Sequence, residues 1–311
     1  MNVIIIGQGA MGLLWYHHIV GLFKSDLYFK EAKLHLLPSK KDSNDASKFE
    51  SQRYNFTDQH NVKHRGNIRF AETSDIQNAT LILLCVKSFH VSSVLQNLKN
   101  HIPAHAAIIL AHNGMGTINT IPQNIIKRNN IFALLTTHGC LRTSPYNIVH
   151  TGFGTSDLGL LSGHDDLLQQ DGILKMLDKA MPSVTFHQSI KYKQWLKLAV
   201  NCVINSLTSI HNIDNGQINN IAYKVTISTI LEEVVVVAKA ENIVLDVKVL
   251  KKTVEEVAYA TAKNCSSMRC DILANRESEI DYINGYIHRL GQQYSLATPM
   301  NTLLWQKVKA L

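Results

Sequence analysis

In the stretch 193–208, KQWLKLAVNCVINSLT, polar side chains interrupt an apolar run at regular spacing: Lys197, Asn201 and Asn205 stand four apart, and Thr208 follows three later. On an α-helix these four share one face. Trp195, Leu198, Ala199, Val203 and Leu207 fill the rest of the run. A core helix gains nothing from an ammonium and two amides in a row, because buried polar groups without partners are unfavourable. Facing a small ligand, the same row makes chemical sense. Amides can hold a carboxylate or hydroxyl without adding charge, and a lysine ammonium can stabilise a growing oxyanion and deliver a proton. A lysine that snorkels to solvent remains the alternative for Lys197 taken alone.

A second constellation lies at the start of the chain. GQGAMG places Gly7, Gln8, Gly9, Ala10, Met11 and Gly12 directly after the apolar run VIII and before a helical pattern. In G-x-G-x-x-G the first glycine permits a tight turn, the second lets a pyrophosphate approach the backbone, and the third lets helix pack on strand. The free N–H groups of the helix start then face the phosphates. NAD sites usually carry an acidic residue at the end of the second strand. Here that strand, KLHLLP, is followed by Ser39, Lys40 and Lys41. A lysine would attract a 2′-phosphate, which favours NADP(H), with Lys40 as the expected contact; plain loop solubility is the other reading of these lysines. The further strand ends CVKSFH and HNGMG put Lys87 and Asn113 where a nicotinamide and its ribose should lie, beyond the carboxyl ends of the strands.

The elements that must position these residues follow from the pattern. Short, fully apolar runs (VIII, LILL, AIIL, FALL) read as strands of a parallel sheet buried on both faces. They alternate with helical stretches up to about residue 187. Ser39–Asn67 reads as a polar, irregular, solvent-facing excursion, and 147–163 as a hairpin. After His187 the pattern is helical, with helices expected near 189–209, 217–241, 246–263 and 277–294. The expectation is an α/β chain: a Rossmann dinucleotide-binding domain over 1–187 and an all-helical substrate domain over 188–311.

Composition narrows the function class. The 31 Lys and Arg against 24 Asp and Glu give a net charge of +7. They are scattered rather than clustered, so nucleic-acid binding is not expected, and a mildly basic protein suits anionic ligands. Cys85, Cys140, Cys202, Cys265 and Cys270 form no C-x-x-C pair and read as reduced core thiols of a cytoplasmic protein. His60/His64 and His101/His105 have helical spacing but no H-E-x-x-H context, so no metal is expected. There is no leader-like segment and no apolar run of about 18 residues, so no membrane association is expected either.

GQGAMG, CVKS, HNGMGT, WLKLAVNCVINSLT, NCSSMRCDI, SEIDYINGYI and ATPMNTLL, in that order, resemble the 2-dehydropantoate 2-reductase (ketopantoate reductase) family, over nearly the whole chain. The resemblance implies an NADPH-dependent reduction of ketopantoate to pantoate in pantothenate and coenzyme A synthesis, at a cleft between a Rossmann and a helical domain. It makes Lys197 the catalytic lysine and general acid. Asn201, Asn205, Asn215 and Ser267 become substrate contacts. Glu279 becomes the acidic residue near substrate and cofactor, Lys87 and Asn113 cofactor-proximal positions, and Cys140 a backbone contact to the cofactor. Asn113 is expected to meet the substrate too. Three departures from the family pattern stand out: lysines where an Arg commonly follows the second strand, an expanded GLFKSDLYFKEAK, and Ser206 where a Pro is frequent. A reductase of another branched 2-oxo acid would share all these residues. An NADPH-binding regulator without turnover would need the glycines but not the Lys–Asn–Asn row or Glu279. Monomer and homodimer both remain open.

Overall fold

The computed structural model describes residues 1–38 and 51–311. The chain forms two compact units: Met1–His112 with Thr120–Ile190, and Asn113–Asn119 with Lys191–Leu311. The first unit is a mixed α/β body with a largely parallel sheet, and the second is helical.

In chain order the first unit holds β1 (Asn2–Ile6), α1 (Ala10–Ser25), β2 (Lys33–Leu37), β3 (Ser51–Thr57), β4 (Lys63–Arg69), α2 (Thr73–Gln77), β5 (Leu81–Leu84), α3 (Ser88–Leu98), β6 (Ala107–Leu110), α4 (Gln123–Ile126), β7 (Ile131–Thr136), β8 (Gly139–Ser144), β9 (Asn147–Gly152), β10 (Ser156–Ser162), α5 (Leu167–Ala180) and β11 (Val184–Phe186). The main sheet runs β11-β10-β7-β6-β5-β1-β2. Its central strands pair in parallel, and β10 lies antiparallel to β7. The apolar runs are buried on both faces: Val3, Ile4, Ile5, Leu83, Ile108 and Ile109 are all fully covered. That is why they show no alternation in sequence.

In the first unit, two expectations need correction. Residues 51–57 and 63–69 are not irregular; they are β3 and β4, paired antiparallel in a second sheet of order β4-β3-β9-β8. The signal was an alternation thinned by polar residues. Tyr54 and Phe56 point inward, at 3% and 2% exposure, while Arg53 and Asn55 face solvent. Asp58 closes the turn by accepting from the backbone N–H groups of His60 and Val62 at 2.9 and 2.8 Å. The second correction concerns 147–163. β9 and β10 do not pair with each other; β9 pairs with β8 and β3, and β10 with β7 and β11. The hairpin is β8–β9, turned at Tyr146 with φ 60°. Gly154 lets the chain pass from one sheet to the other, because a Cβ there would lie 2.4 Å from the Thr137 backbone.

The second unit holds α6 (Lys191–His211), α7 (Lys224–Ala240), α8 (Val247–Ala260), α9 (Ser267–Leu273), α10 (Asn284–Gln293) and α11 (Pro299–Lys309). α9 and α11 were not anticipated. The helix expected from 217 begins only at 224, preceded by 3-10 turns at Asn215–Asn219 and Ile221–Tyr223. α6 is central and packs against α7, α8, α9 and α11. Under this layer Glu233 of α7, 8% exposed, accepts from the Met300 and Asn301 backbone N–H groups and the Asn301 amide, each at 2.8 Å. A buried carboxylate thus satisfies the open N–H groups at the start of α11, with Pro299 in its first turn. The Asn284 amide links to the Asn301 side-chain oxygen at 3.0 Å and to the Cys202 carbonyl of α6 at 3.1 Å.

Candidate active site

The candidate residues fall into two groups, one in each unit. In the first unit the glycine turn joins β1 to α1. Gly7 has φ +106°, a conformation that L side chains rarely adopt, and its N–H donates to the Leu37 carbonyl at 3.1 Å. A Cβ on Gly12 would stand 1.9 Å from the Gly7 carbonyl oxygen, so only glycine lets the helix sit this close to the turn. Gly9 is different. A Cβ there would meet its nearest neighbour only at 3.9 Å, so no described residue crowds that space. Gly9 is also the N-cap of α1; the cap has no side-chain hydrogen bond and the first turn no acidic residue. Open backbone, an uncapped helix start and no negative charge fit the pyrophosphate of a dinucleotide.

Several side chains pack around the turn. Cys85, just after β5, has its backbone against Gly7, and burial pushes its thiol up to about 12. Cys140 on β8 is likewise pushed up to about 12 by burial, and its protonated thiol donates to the Ala10 carbonyl at 3.5 Å. Lys87 is the half-buried N-cap residue of α3. Ser88 beside it shares a hydrogen bond of 3.2 Å with His112 Nδ1 at the end of β6. Lys40, with Ser39 and Lys41, lies outside the described residues.

The second group is built on α6. Lys197 and Asn201 are half-buried, and Asn205 is 6% exposed. The amides of Asn201 and Asn205 have no side-chain partner among the described residues. Thr208 ends the row differently: fully buried, it shares a 2.7 Å hydrogen bond with Ser266 and donates to the Ile204 carbonyl at 2.6 Å. It ties α6 to the N-cap of α9, where Ser266 accepts from the Arg269 N–H. Ser206, in place of the frequent Pro, donates to the Cys202 carbonyl one turn back, so its buried hydroxyl is satisfied within the helix.

Asn113 and Glu279 come together. The Asn113 amide donates to Glu279 Oε2 at 3.5 Å, and Glu279 is 4% exposed. Their meeting rests on the glycines of HNGMG. Gly114 has φ +82°, and a Cβ there would be 2.6 Å from Tyr282; at Gly116, φ +92°, it would be 2.9 Å from the Tyr286 ring. The Met115 N–H donates to the Tyr282 carbonyl at 2.8 Å. The 3-10 turn Ile280–Tyr282, which Glu279 begins, is in turn fixed by Asp281, which accepts from Trp305 Nε1 at 2.6 Å. The Tyr286 ring lies 6.2 Å from Trp195, two residues before Lys197.

Asn215 and Ser267 flank this region in sequence and differ in environment. Asn215 is 7% exposed and its amide donates to Thr261 Oγ1 at 3.0 Å. Thr261 donates in turn to the Val257 carbonyl, so the Asn215 amide orientation is set and its Oδ1 is a buried acceptor with no partner among the described residues. Ser267 is exposed at the first position of α9, and its neighbour Ser266 is the buried one. Ser266, Asp281, Trp305, Arg142 and Tyr146 were missed at the sequence level. Capping and turn-anchoring roles depend on partners far along the chain.

The chain matches the ketopantoate reductase PanE/ApbA family over residues 3–163 and the PanE/ApbA C-terminal family over residues 189–311. It belongs to the ketopantoate reductase family. A 2-dehydropantoate 2-reductase of Vibrio cholerae serotype O1 is 32% identical, over 100% of this chain and 98% of its own length. One of Shigella flexneri is 34% identical over 99% and 94%. Family membership makes the chain an oxidoreductase with a small-molecule substrate and a dinucleotide-binding fold. The fold is shared with a solved D-mandelate dehydrogenase in ternary complex with NADH and anilino(oxo)acetate, at TM-score 0.86 and 24% identity, covering 100% of this chain and 98% of that one. No described helix is long and apolar enough to cross a membrane.

Proposed function

We propose that the chain is an NADPH-dependent 2-dehydropantoate 2-reductase, serving pantothenate and coenzyme A synthesis in the cytoplasm. The observation that carries the reading is the Lys197–Asn201–Asn205 row on α6, half-buried at its first two members and buried at the third, in the same unit as the Asn113–Glu279 pair. Two relatives named 2-dehydropantoate 2-reductase match almost the full length of the chain.

The roles follow from the functional groups. Lys197 donates a hydrogen bond to the ketone oxygen and passes its proton there as negative charge develops. Asn201 and Asn205 hold the substrate carboxylate through neutral amides. Asn215 Oδ1, an acceptor with no partner among the described residues, suits a substrate hydroxyl, and Ser267 adds a donor at the edge. Glu279 accepts from the substrate hydroxyl and keeps the Asn113 amide turned. Gly7 to Gly12 with Gln8, Ala10 and Met11 receive the pyrophosphate, Lys87, Asn113 and the Cys140 backbone bracket the nicotinamide half, and Lys40 meets the 2′-phosphate. The bound nicotinamide supplies the reducing equivalent; every proton movement belongs to the protein.

The test is turnover of ketopantoate followed at 340 nm with purified wild type and Lys197→Ala. The expected result is measurable wild-type activity and a loss of ~10²-fold or more in kcat for the variant, with an unchanged melting temperature. Near-normal turnover by Lys197→Ala refutes the general-acid role. A wild-type preference for another branched 2-oxo acid, such as an aryl-substituted one, replaces the substrate and leaves the roles intact.

A further inference from the structure

The second sheet reaches into the glycine turn at three points. Cys140 and Arg142 stand two apart on β8 and therefore point to the same side of the strand. Cys140 bonds the Ala10 carbonyl, and the Arg142 guanidinium donates to the Gln8 carbonyl at 3.1 Å. From the hairpin tip, the Tyr146 hydroxyl donates to Gln8 Oε1 at 3.3 Å. Gln8, 7% exposed, is thus held by both its backbone and its side chain. A glycine-rich turn needs neither bond to form, because Gly7 and Gly12 already set its shape.

The consequence lies in the geometry of one peptide bond. The Gln8 carbonyl and the Gly9 N–H belong to the same planar, trans unit and point in opposite directions. Anchoring the carbonyl on Arg142 therefore aims the Gly9 N–H away from β8. That N–H has no partner among the described residues, and the space over Gly9 is the open one. Gly9, on one side of this peptide, lacks a Cβ, so the unanchored peptide has more freedom to rotate than one between two ordinary residues. A charge-assisted bond is stronger than a neutral one, and the rigid guanidinium fork gives it direction.

We propose that Arg142, supported by Tyr146, is a positioning residue of the dinucleotide site: it locks the Gln8–Gly9 peptide so that the Gly9 N–H is presented to the cofactor phosphates. The proposal rests on the dinucleotide reading of the glycine turn given above. It assigns the β8–β9 hairpin a task in cofactor affinity.

The experiment compares wild type, Arg142→Ala, Arg142→Lys and Tyr146→Phe as full chains. NADPH affinity is read by nicotinamide fluorescence, steady-state kinetics with ketopantoate separate KM for NADPH from kcat, and melting without ligand reports the fold. Arg142 is exposed, so the alanine variant is expected to melt as wild type does. Its Kd and KM for NADPH are expected to rise about tenfold, the scale of one lost hydrogen bond to a charged group, with the defect in KM rather than kcat. Arg142→Lys, which returns a charged donor, recovers at least half of that change on a logarithmic scale. Tyr146→Phe, which removes one hydroxyl, raises Kd two- to threefold. Unchanged NADPH affinity in Arg142→Ala overturns the proposal while leaving the dinucleotide site standing. A fall in melting temperature with unchanged KM overturns it as well, by reducing Arg142 to a stabilising contact. Wild-type protein that binds neither NADPH nor NADH overturns the dinucleotide reading, and the proposal with it.

Discussion

At the scale of single residues, the glycines of the turn divide into those that close backbone packing requires and one with open space beside it. At Gly12 a Cβ would stand 1.9 Å from a backbone oxygen that cannot move aside. Gly12→Ala is therefore expected to destabilise the fold by about 3 kcal/mol, the upper part of the range for overpacking, read as a lower urea midpoint. A midpoint equal to wild type would show that the turn can open. This distinction was half legible in sequence. The spacing of Gly7, Gly9 and Gly12 announced the turn, but which glycine faces open space depends on Cys85, 73 or more residues away in the chain. The polar row of α6 was legible in the same partial way. Lys197, Asn201, Asn205 and Thr208 do share a helix, yet Thr208 is consumed by Ser266 and holds two helices together. Helical periodicity assigns a face; it does not say which members of the face already have partners.

At the scale of elements, the parallel strands and α6 could be read from the sequence because burial on two faces or on one stripe leaves a strong apolar pattern. The second sheet could not, because its buried side is made largely of aromatic and histidine rings. His17 stacks on Phe56 with ring centroids 3.8 Å apart, and His18, His64 and His150 surround them. His138 lies 5.4 Å from His150. These rings come from α1, β3, β4, β9 and the turn before β8, and Asp58 and His60 line the same hollow. Burial is the largest cause that lowers His17 and His138 to about 4 and His18 to about 3, with neighbouring imidazoles adding to it. The sign follows from linkage. The unfolded chain takes up these protons near the ordinary value of 6.5 and the folded chain only near 3–4, so stability is full above 6.5 and falls as pH drops toward 4. The urea midpoint is expected to be lower at pH 5 than at pH 7.5, and His18→Phe to shrink that difference. An equal difference in wild type and variant would place the pH dependence elsewhere.

At the scale of the whole molecule, the family's dinucleotide chemistry depends on a first unit that binds an anion-rich ligand. A ligand that binds only the folded state raises its stability by RT ln(1 + [L]/Kd), about 2.7 kcal/mol at a hundredfold excess over Kd. The melting temperature is expected to rise with both nicotinamide cofactors, and further with NADPH than with NADH at equal concentration if the lysines after β2 meet the 2′-phosphate. Equal shifts would remove that role from Lys40. The route of the chain has a further consequence for dissection. It passes from one unit to the other at 112/113, at 119/120 and again at 190/191. The segment Asn113–Asn119 brings the second unit both Asn113 and the glycines that lie on Tyr282 and Tyr286. A clone beginning at Lys191 would lack this patch and expose those tyrosines. The two halves are therefore not interchangeable modules: grafting either onto a foreign counterpart must carry the seven-residue segment 113–119 across, or the recipient inherits a helical body without the asparagine that faces Glu279.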